Sequence, residues 1–215
     1  MRRTMKTPLA AFVLIVGLAG SRAARAAPQH SAPSKKMADT SYGRFDGGVS
    51  LAAGLGASIS ASGPRVAADT RIRYIDTVGV FFTYEAGLGV PDRAAQSHIL
   101  AAGIELRPLF LSRWALGLDY GSRYVDLFID SLAVEMAPYW VIGNARNSLQ
   151  PGFQTSIGFG LPLMGQASGL MIGFHGGLRW TPDDLTGGDR SPERQPFATL
   201  ILGWQQPVAM GIAVR

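Results

Sequence analysis

Trp114-Ala115-Leu116-Gly117-Leu118-Asp119-Tyr120-Gly121-Ser122-Arg123-Tyr124 separates into two faces when every second residue is read. Trp114, Leu116, Leu118, Tyr120, Ser122 and Tyr124 make an apolar face with an aromatic ring near each end. Ala115, Gly117, Asp119, Gly121 and Arg123 make a small or charged one. A two-residue repeat is the signature of a β-strand. Rings about ten residues apart fit a strand whose ends lie at the two interfaces of a bilayer. The stretch therefore predicts a strand, the fifth in chain order.

The same alternation recurs on both sides of it. Val78 to Val90 is the cleanest case, with Val78, Val80, Phe82, Tyr84, Ala86 and Leu88 opposite Gly79, Phe81, Thr83, Glu85 and Gly87. Further strands are predicted at Phe45 to Ile59, Val66 to Ile75, Ser97 to Arg107, Ser131 to Trp140, Phe153 to Leu163, Leu170 to Trp180 and Phe197 to Gln205. A short tenth follows from the alternation of Val208, Met210, Ile212 and Val214. No window of comparable length carries a helical period. Strands at this spacing predict an all-β antiparallel protein. An up-and-down transmembrane barrel of eight or ten strands follows, because single-chain barrels of this kind take even numbers.

The ends of the chain differ from its middle. Residues 1–26 carry Arg2, Arg3 and Lys6, an uncharged apolar run from Leu9 to Gly20, and Ala24-Arg25-Ala26. That is the layout of a cleaved secretory signal peptide. The apolar run is shorter than the roughly 20 residues a spanning helix needs. Residues 27–43 are polar and rich in Pro and Ser, which predicts a flexible linker. Residues 44–215 are then the barrel domain.

Charge follows the same division. The formal net charge is +5, yet five basic residues and no acidic ones lie in the first 26 positions. Without them 15 basic residues face 15 acidic ones, and a nucleic-acid partner is not expected. Cysteine is absent, which excludes disulfides, thiolate metal sites and a cysteine nucleophile. Gly54-Leu55-Gly56 lacks the third glycine and the following helix of a phosphate-binding loop.

A soluble barrel turns its apolar face inward, and a membrane barrel turns it outward. The leader, the aromatics at strand ends (Tyr74, Trp114, Tyr124, Trp140, Trp180, Trp204) and the glycine-rich opposite face favour the outward arrangement. The inward charges are then Asp69, Glu85, Glu105, Asp119 and Glu135 against Arg71, Arg73, Arg107, Arg123 and Arg179. A narrow lumen forces such charges to pair, since an unpaired buried charge is costly. They are expected to form a structural network filling the lumen, with a selectivity-setting pore lining as the alternative.

On these features residues 45–215 resemble the small outer-membrane β-barrel proteins, the broad group of OmpA-like and OmpW-like barrels. The resemblance rests on the leader, the alternating strands and the aromatic ends, and it selects no subfamily. It implies an outer-membrane location, contact with outer-membrane lipid, a monomer, and a surface or periplasmic protein as partner. The chain departs from the group in ending Gly211-Ile212-Ala213-Val214-Arg215 rather than in an aromatic residue. Counting 114–124 as a strand also puts the longest loop, from Thr181 to Gln195, on the periplasmic side, where turns of such barrels are short. A strand count off by one would produce that mismatch.

The expected role is structural or one of surface interaction. The alternatives are a narrow pore for small solutes, a lipid A-modifying acyl hydrolase or transferase, and a secreted lipocalin-like ligand binder. No catalytic residues, cofactor or metal are expected. His98 directly follows Ser97, so the two would point to opposite faces of a strand. His175 faces inward with no serine beside it in sequence. Three histidines without cysteine offer no ligand cluster.

Overall fold

The computed structural model describes residue 42 and residues 48–88, 98–142, 151–185 and 194–208. The predicted signal peptide, the predicted linker apart from Tyr42, and the predicted tenth strand beyond Val208 lie outside the described residues.

Eight antiparallel strands form a closed barrel in sequential order. They are β1 (Val49–Ser60), β2 (Gly63–Tyr74), β3 (Val78–Gly87), β4 (His98–Leu106), β5 (Ala133–Ile142), β6 (Gly152–Pro162), β7 (Gly169–Trp180) and β8 (Gln195–Val208). β1 closes the ring by pairing with β2 on one side and β8 on the other, so that Leu55 stands opposite both Ala68 and Leu202. Closure leaves no strand edge unpaired.

Among the described residues, the strand predicted at 114–124 is the one that fails. Residues 107–132 leave β4 and return in β5, and the two strands pair directly, with Leu106 opposite Val134 and Glu105 opposite Glu135. No position remains between them for a further strand. The segment instead folds as a helical hairpin of α1 (Leu109–Leu116) and α2 (Arg123–Asp130). Pro108 precedes α1 and fixes its entry, since proline suits the start of a helix. Gly117 ends it at φ 64, the left-handed conformation that glycine adopts without a steric penalty. Its N–H and that of Leu118 close onto Trp114 and Arg113 carbonyls at 3.2 and 2.9 Å. A third helix, α3 (Pro182–Leu185), follows β7.

Losing that strand moves everything downstream to the other end of the barrel. One end, the terminal end, holds the start of β1, the close of β8, the turn Ile75–Thr77, the helical hairpin and residues 163–168. The opposite end holds the turn after β1 and the connections 88–97, 143–151 and 181–194. Connections 88–97, 143–151 and 181–194 therefore join strands at one end, while the longest connection, 107–132 with its helical hairpin, joins β4 to β5 at the terminal end.

The wall is inside-out relative to a soluble barrel. The eight strands carry eight Asp, Glu or Arg side chains, and all eight are buried in the lumen: Arg65, Asp69, Arg71, Arg73, Glu85, Glu105, Glu135 and Arg179. The alternate positions are apolar and exposed on the outside, among them Leu55, Ile72, Val80, Ile104, Ile157 and Leu202. The period of two puts successive side chains on opposite faces, and a slip of one residue anywhere would exchange the two sets.

Candidate functional site: the lumen charge network

Arg71 on β2 is the hub. Its Nε and Nη2 donate to the two Asp69 oxygens at 2.7 and 3.1 Å. Its Nη1 donates to Glu105 Oε2 at 2.7 Å and also to Glu135 Oε1. The barrel register makes this hub necessary. Glu105 and Glu135 stand directly opposite each other on β4 and β5, an arrangement of like charges that destabilises a strand pair. One guanidinium shared between the two carboxylates turns that repulsion into a bridge.

The network runs toward the terminal end from Glu105. Arg73 Nε and Arg107 Nε both donate to Glu105 Oε1, at 2.8 and 2.6 Å. Arg107 Nη1 reaches Asp76 Oδ1 at 3.1 Å, and Arg73 Nη1 reaches Gln205 Oε1 at 3.1 Å. Asp76 lies in the turn between β2 and β3. Thr77 N–H donates to the Tyr74 carbonyl at 3.0 Å there, with Ile75 and Asp76 both at positive φ (47 and 48). Two left-handed central residues are the hairpin turn whose twist matches the flanking strands. The turn brings the Asp76 carboxylate back under the end of the lumen.

A second group lies toward the other end. Arg179 Nη2 and Nη1 donate to the two Glu85 oxygens at 2.5 and 3.1 Å, a bidentate pair, and Arg179 Nε donates to Gln154 at 2.9 Å. The same guanidinium lies over the Phe197 ring at 4.1 Å and the Tyr139 ring at 5.7 Å. Phe81, Ile99, Ala101, Ala137 and Tyr139 form a buried apolar cluster beside it. The lumen is thus charged along its middle and stoppered by rings and aliphatic groups near the long-connection end.

His175 completes the middle layer. Its Nδ1 lies 2.9 Å from Glu135 Oε1, and both ring nitrogens lie 3.3 Å from Arg71 Nη2. Ser156 Oγ donates to Glu135 Oε2 at 2.7 Å. Serine, glutamate and histidine are therefore together, but the carboxylate stands in the centre. A nucleophile relay needs the imidazole there, between the hydroxyl and the acid. Gly158 makes the room: a Cβ at that position would lie 2.5 Å from His175 Nδ1 and 2.8 Å from Glu135 Oε1.

Eight of the ten charges read from alternation meet in this lumen. Asp119 and Arg123 do not. Both lie exposed on the helical hairpin, because the two-residue repeat that placed them inward does not govern a segment that folds as helices. Sequence reasoning passed over Asp76, assigned to a short connection, and Arg65, placed before the start of β2. Gln154 and Ser156 did stand on the charged face of their strand, and alternation alone would have found them.

The voids left in the network are small. One beside Arg71, Arg73, Glu105 and His175 has about 30 Å³, and one between Phe81, Glu85, Glu135 and Arg179 has about 10 Å³. A single water needs about 10–15 Å³. Each of these two spaces has room for no more than a few waters. Among the described residues no group of three or more His, Cys, Asp or Glu has a metal-holding arrangement.

No family model, curated protein or solved structure matches this chain.

Proposed function

We propose that this protein is an outer-membrane β-barrel, exported by its N-terminal leader, with a filled lumen and a structural or surface-interaction role. The observation that carries the reading is the sorting of its strands: every strand Asp, Glu and Arg is buried inside, while the exposed outer face is apolar. In water that surface would be a large aggregation liability. In a bilayer it is the lipid-facing band. The soluble lipocalin-like alternative requires the opposite assignment of faces.

Two further features support it. The strands are nine to fourteen residues long, enough to cross the hydrocarbon when tilted. Outward aromatics stand near both ends of the wall, Tyr74 and Trp204 at the terminal end and Tyr84, Trp140 and Trp180 at the other. The strand ends joined by 88–97, 143–151 and 181–194 are then on the extracellular side, and the 107–132 hairpin, the longest connection, is on the periplasmic side. On this reading 88–97, 143–151 and 181–194 are the surface a partner would meet.

The role follows from the lumen. A network in which carboxylates and guanidiniums satisfy one another holds the wall closed and conducts nothing. The test is membrane fractionation followed by gel electrophoresis of boiled and unboiled samples. An outer-membrane band that shifts only on heating is the expected result. A soluble periplasmic protein with no shift would overturn the reading, and discrete conductance steps in a planar bilayer would replace the filled lumen by a pore.

A further inference from the structure

The helical hairpin repeats the barrel's inversion in a different secondary structure. Its buried charges are spent on one another. Arg113 donates to Asp130 Oδ1 and Asp126 Oδ1 at 2.6 Å each and to the Leu118 carbonyl at 2.8 Å. Asp126 also accepts from the Tyr120 amide at 2.9 Å and the Tyr42 hydroxyl at 3.0 Å. Phe110 and Leu127 are turned in, and Leu127 lies at the barrel end with Asp76, Arg107 and Gly160.

Six more apolar side chains face out, Leu111, Leu116, Leu118, Tyr120, Tyr124 and Val125, with Leu116 at 71% and Tyr120 at 72% exposure, while Leu109, Trp114, Phe128 and Ile129 are half-buried. A hairpin surrounded by water would carry polar groups there. This surface is also joined to the outer wall. Phe128 of α2 meets Phe159 of β6 edge-on at 5.2 Å, and Phe159 stacks on Phe174 of β7 at 5.2 Å. Phe159 and Phe174 are outward positions, so the hairpin reaches over the rim and continues the wall's apolar face.

We propose that the hairpin is an interfacial element whose exposed side chains lie in the headgroup and upper acyl region of the leaflet at the terminal end; its partner is a lipid surface. The proposal rests on the outer-membrane reading above. Three arguments favour lipid over a protein. The apolar surface is continuous with the lipid-facing band. Tyr120 and Tyr124 join an apolar ring to a hydroxyl, the combination enriched at membrane interfaces. The hairpin's exposed charges are one acid and one base, Asp119 and Arg123, which give no net charge to steer a charged partner.

The chain has no cysteine, so single-cysteine nitroxide labels read depth directly. The labels go at L118C and L116C on the hairpin, I104C on the outer wall and A61C in the turn after β1, in the full chain refolded into phosphatidylethanolamine–phosphatidylcholine bilayers. Collisions with oxygen report hydrocarbon, and collisions with a nickel chelate report water. The expected oxygen-to-nickel ratio at 118 and 116 lies above that at 61 and below that at 104. If 104 reads deep while both hairpin positions match 61, the hairpin is in water and this proposal fails alone. If the hairpin positions are shielded from both reagents, a protein or a second copy covers them, and the proposal fails again. If 104 itself reads as aqueous, the membrane-barrel reading fails and takes the hairpin's placement with it.

Discussion

On the wall, charged, polar and small side chains face one way and apolar ones the other, and the charges draw partners from other strands as well as their own. Arg71 of β2 is met by carboxylates from β4 and β5, and Arg179 of β7 by Glu85 of β3. In the helical hairpin the partners are local: Arg113 meets Asp126 and Asp130 across one connection. Both regions hide ion pairs and display hydrocarbon. The wall's cross-strand pairing needs the closed barrel, with only Asp69–Arg71 and Glu105–Arg107 local in sequence, whereas the hairpin's needs only two short helices. The two networks should therefore fail differently, and substitutions can separate them.

Arg71→Met has the largest expected effect. It leaves Asp69, Glu105 and Glu135 buried without their shared cation, and removing one partner of a buried charge network costs about 3–5 kcal/mol. Denaturant titration in detergent should show a lower midpoint for the whole barrel, read as earlier loss of the heat-modifiable band. A variant as stable as the parent would mean that the middle of the lumen is wet enough to solvate three carboxylates. Gly158→Ala comes next. Its methyl meets His175 and Glu135 at sub-contact distances, and overpacking of that kind costs roughly 1–3 kcal/mol. The same denaturant titration measures it, and no loss would show that His175 can move aside.

The strand alternation made most of the wall legible in the sequence. β2 shows why: inward Arg65, Ala67, Asp69, Arg71 and Arg73 alternate with outward Val66, Ala68, Thr70, Ile72 and Tyr74, which leaves one register possible, and closure enforces it through neighbours on both sides. The lumen charges follow from the same repeat, since facing one way in a barrel of eight strands means meeting near its axis. Residues 114–124 read as a strand because alternation holds within that window, while the helical spacing begins ahead of it, at Phe110. Leu116, Leu118 and Tyr120 alternate as in a strand, while Phe110 and Trp114 are also spaced as on a helix. The signals that decide are Pro108 before α1 and the positive φ of Gly117 and Gly121, which break the segment twice where a strand would run through. Asp76 was hidden for another reason: a turn residue has no face until its backbone conformation is known.

Arg113→Ala should loosen the hairpin and leave the barrel closed. It removes charge-assisted hydrogen bonds to Asp126 and Asp130, each worth about 1.5–3 kcal/mol at most and less here because the group is partly exposed. Faster amide exchange over residues 109–130, with the heat-shifted band unchanged, is the expected result; a lowered barrel midpoint would show that the two networks are one. The hairpin also has its own pH window. Burial alone would raise the Asp126 carboxyl, but the Tyr120 amide, the Arg113 guanidinium and the Tyr42 hydroxyl outweigh it and hold it below the ordinary aspartate value. Its contribution is therefore present above that ordinary value and is lost as pH falls through the depressed one. Tyr42 is pushed up to about 12, by burial first and then by its hydrogen bond to Asp126. Its contribution is complete below the ordinary value of 10.0 and disappears as pH rises through about 12. Hairpin exchange rates corrected for intrinsic chemistry should stay flat between these limits and rise at both ends.

The smallest effect belongs to the two charges that alternation placed in the lumen. Asp119 and Arg123 are exposed, and neither is bound into the Arg113 cluster by a hydrogen bond. The double variant Asp119→Asn, Arg123→Gln should shift stability by no more than about 0.5 kcal/mol, the ordinary range for exposed surface positions. Had 114–124 been a wall strand, the same pair of changes would have removed one buried carboxylate and one buried guanidinium from the network and cost several kcal/mol. One denaturant titration thus distinguishes a hairpin from a ninth strand without any structure determination. A large loss would restore the strand, reverse the ends of every element after it, and return the connection 181–194 to the side of the termini.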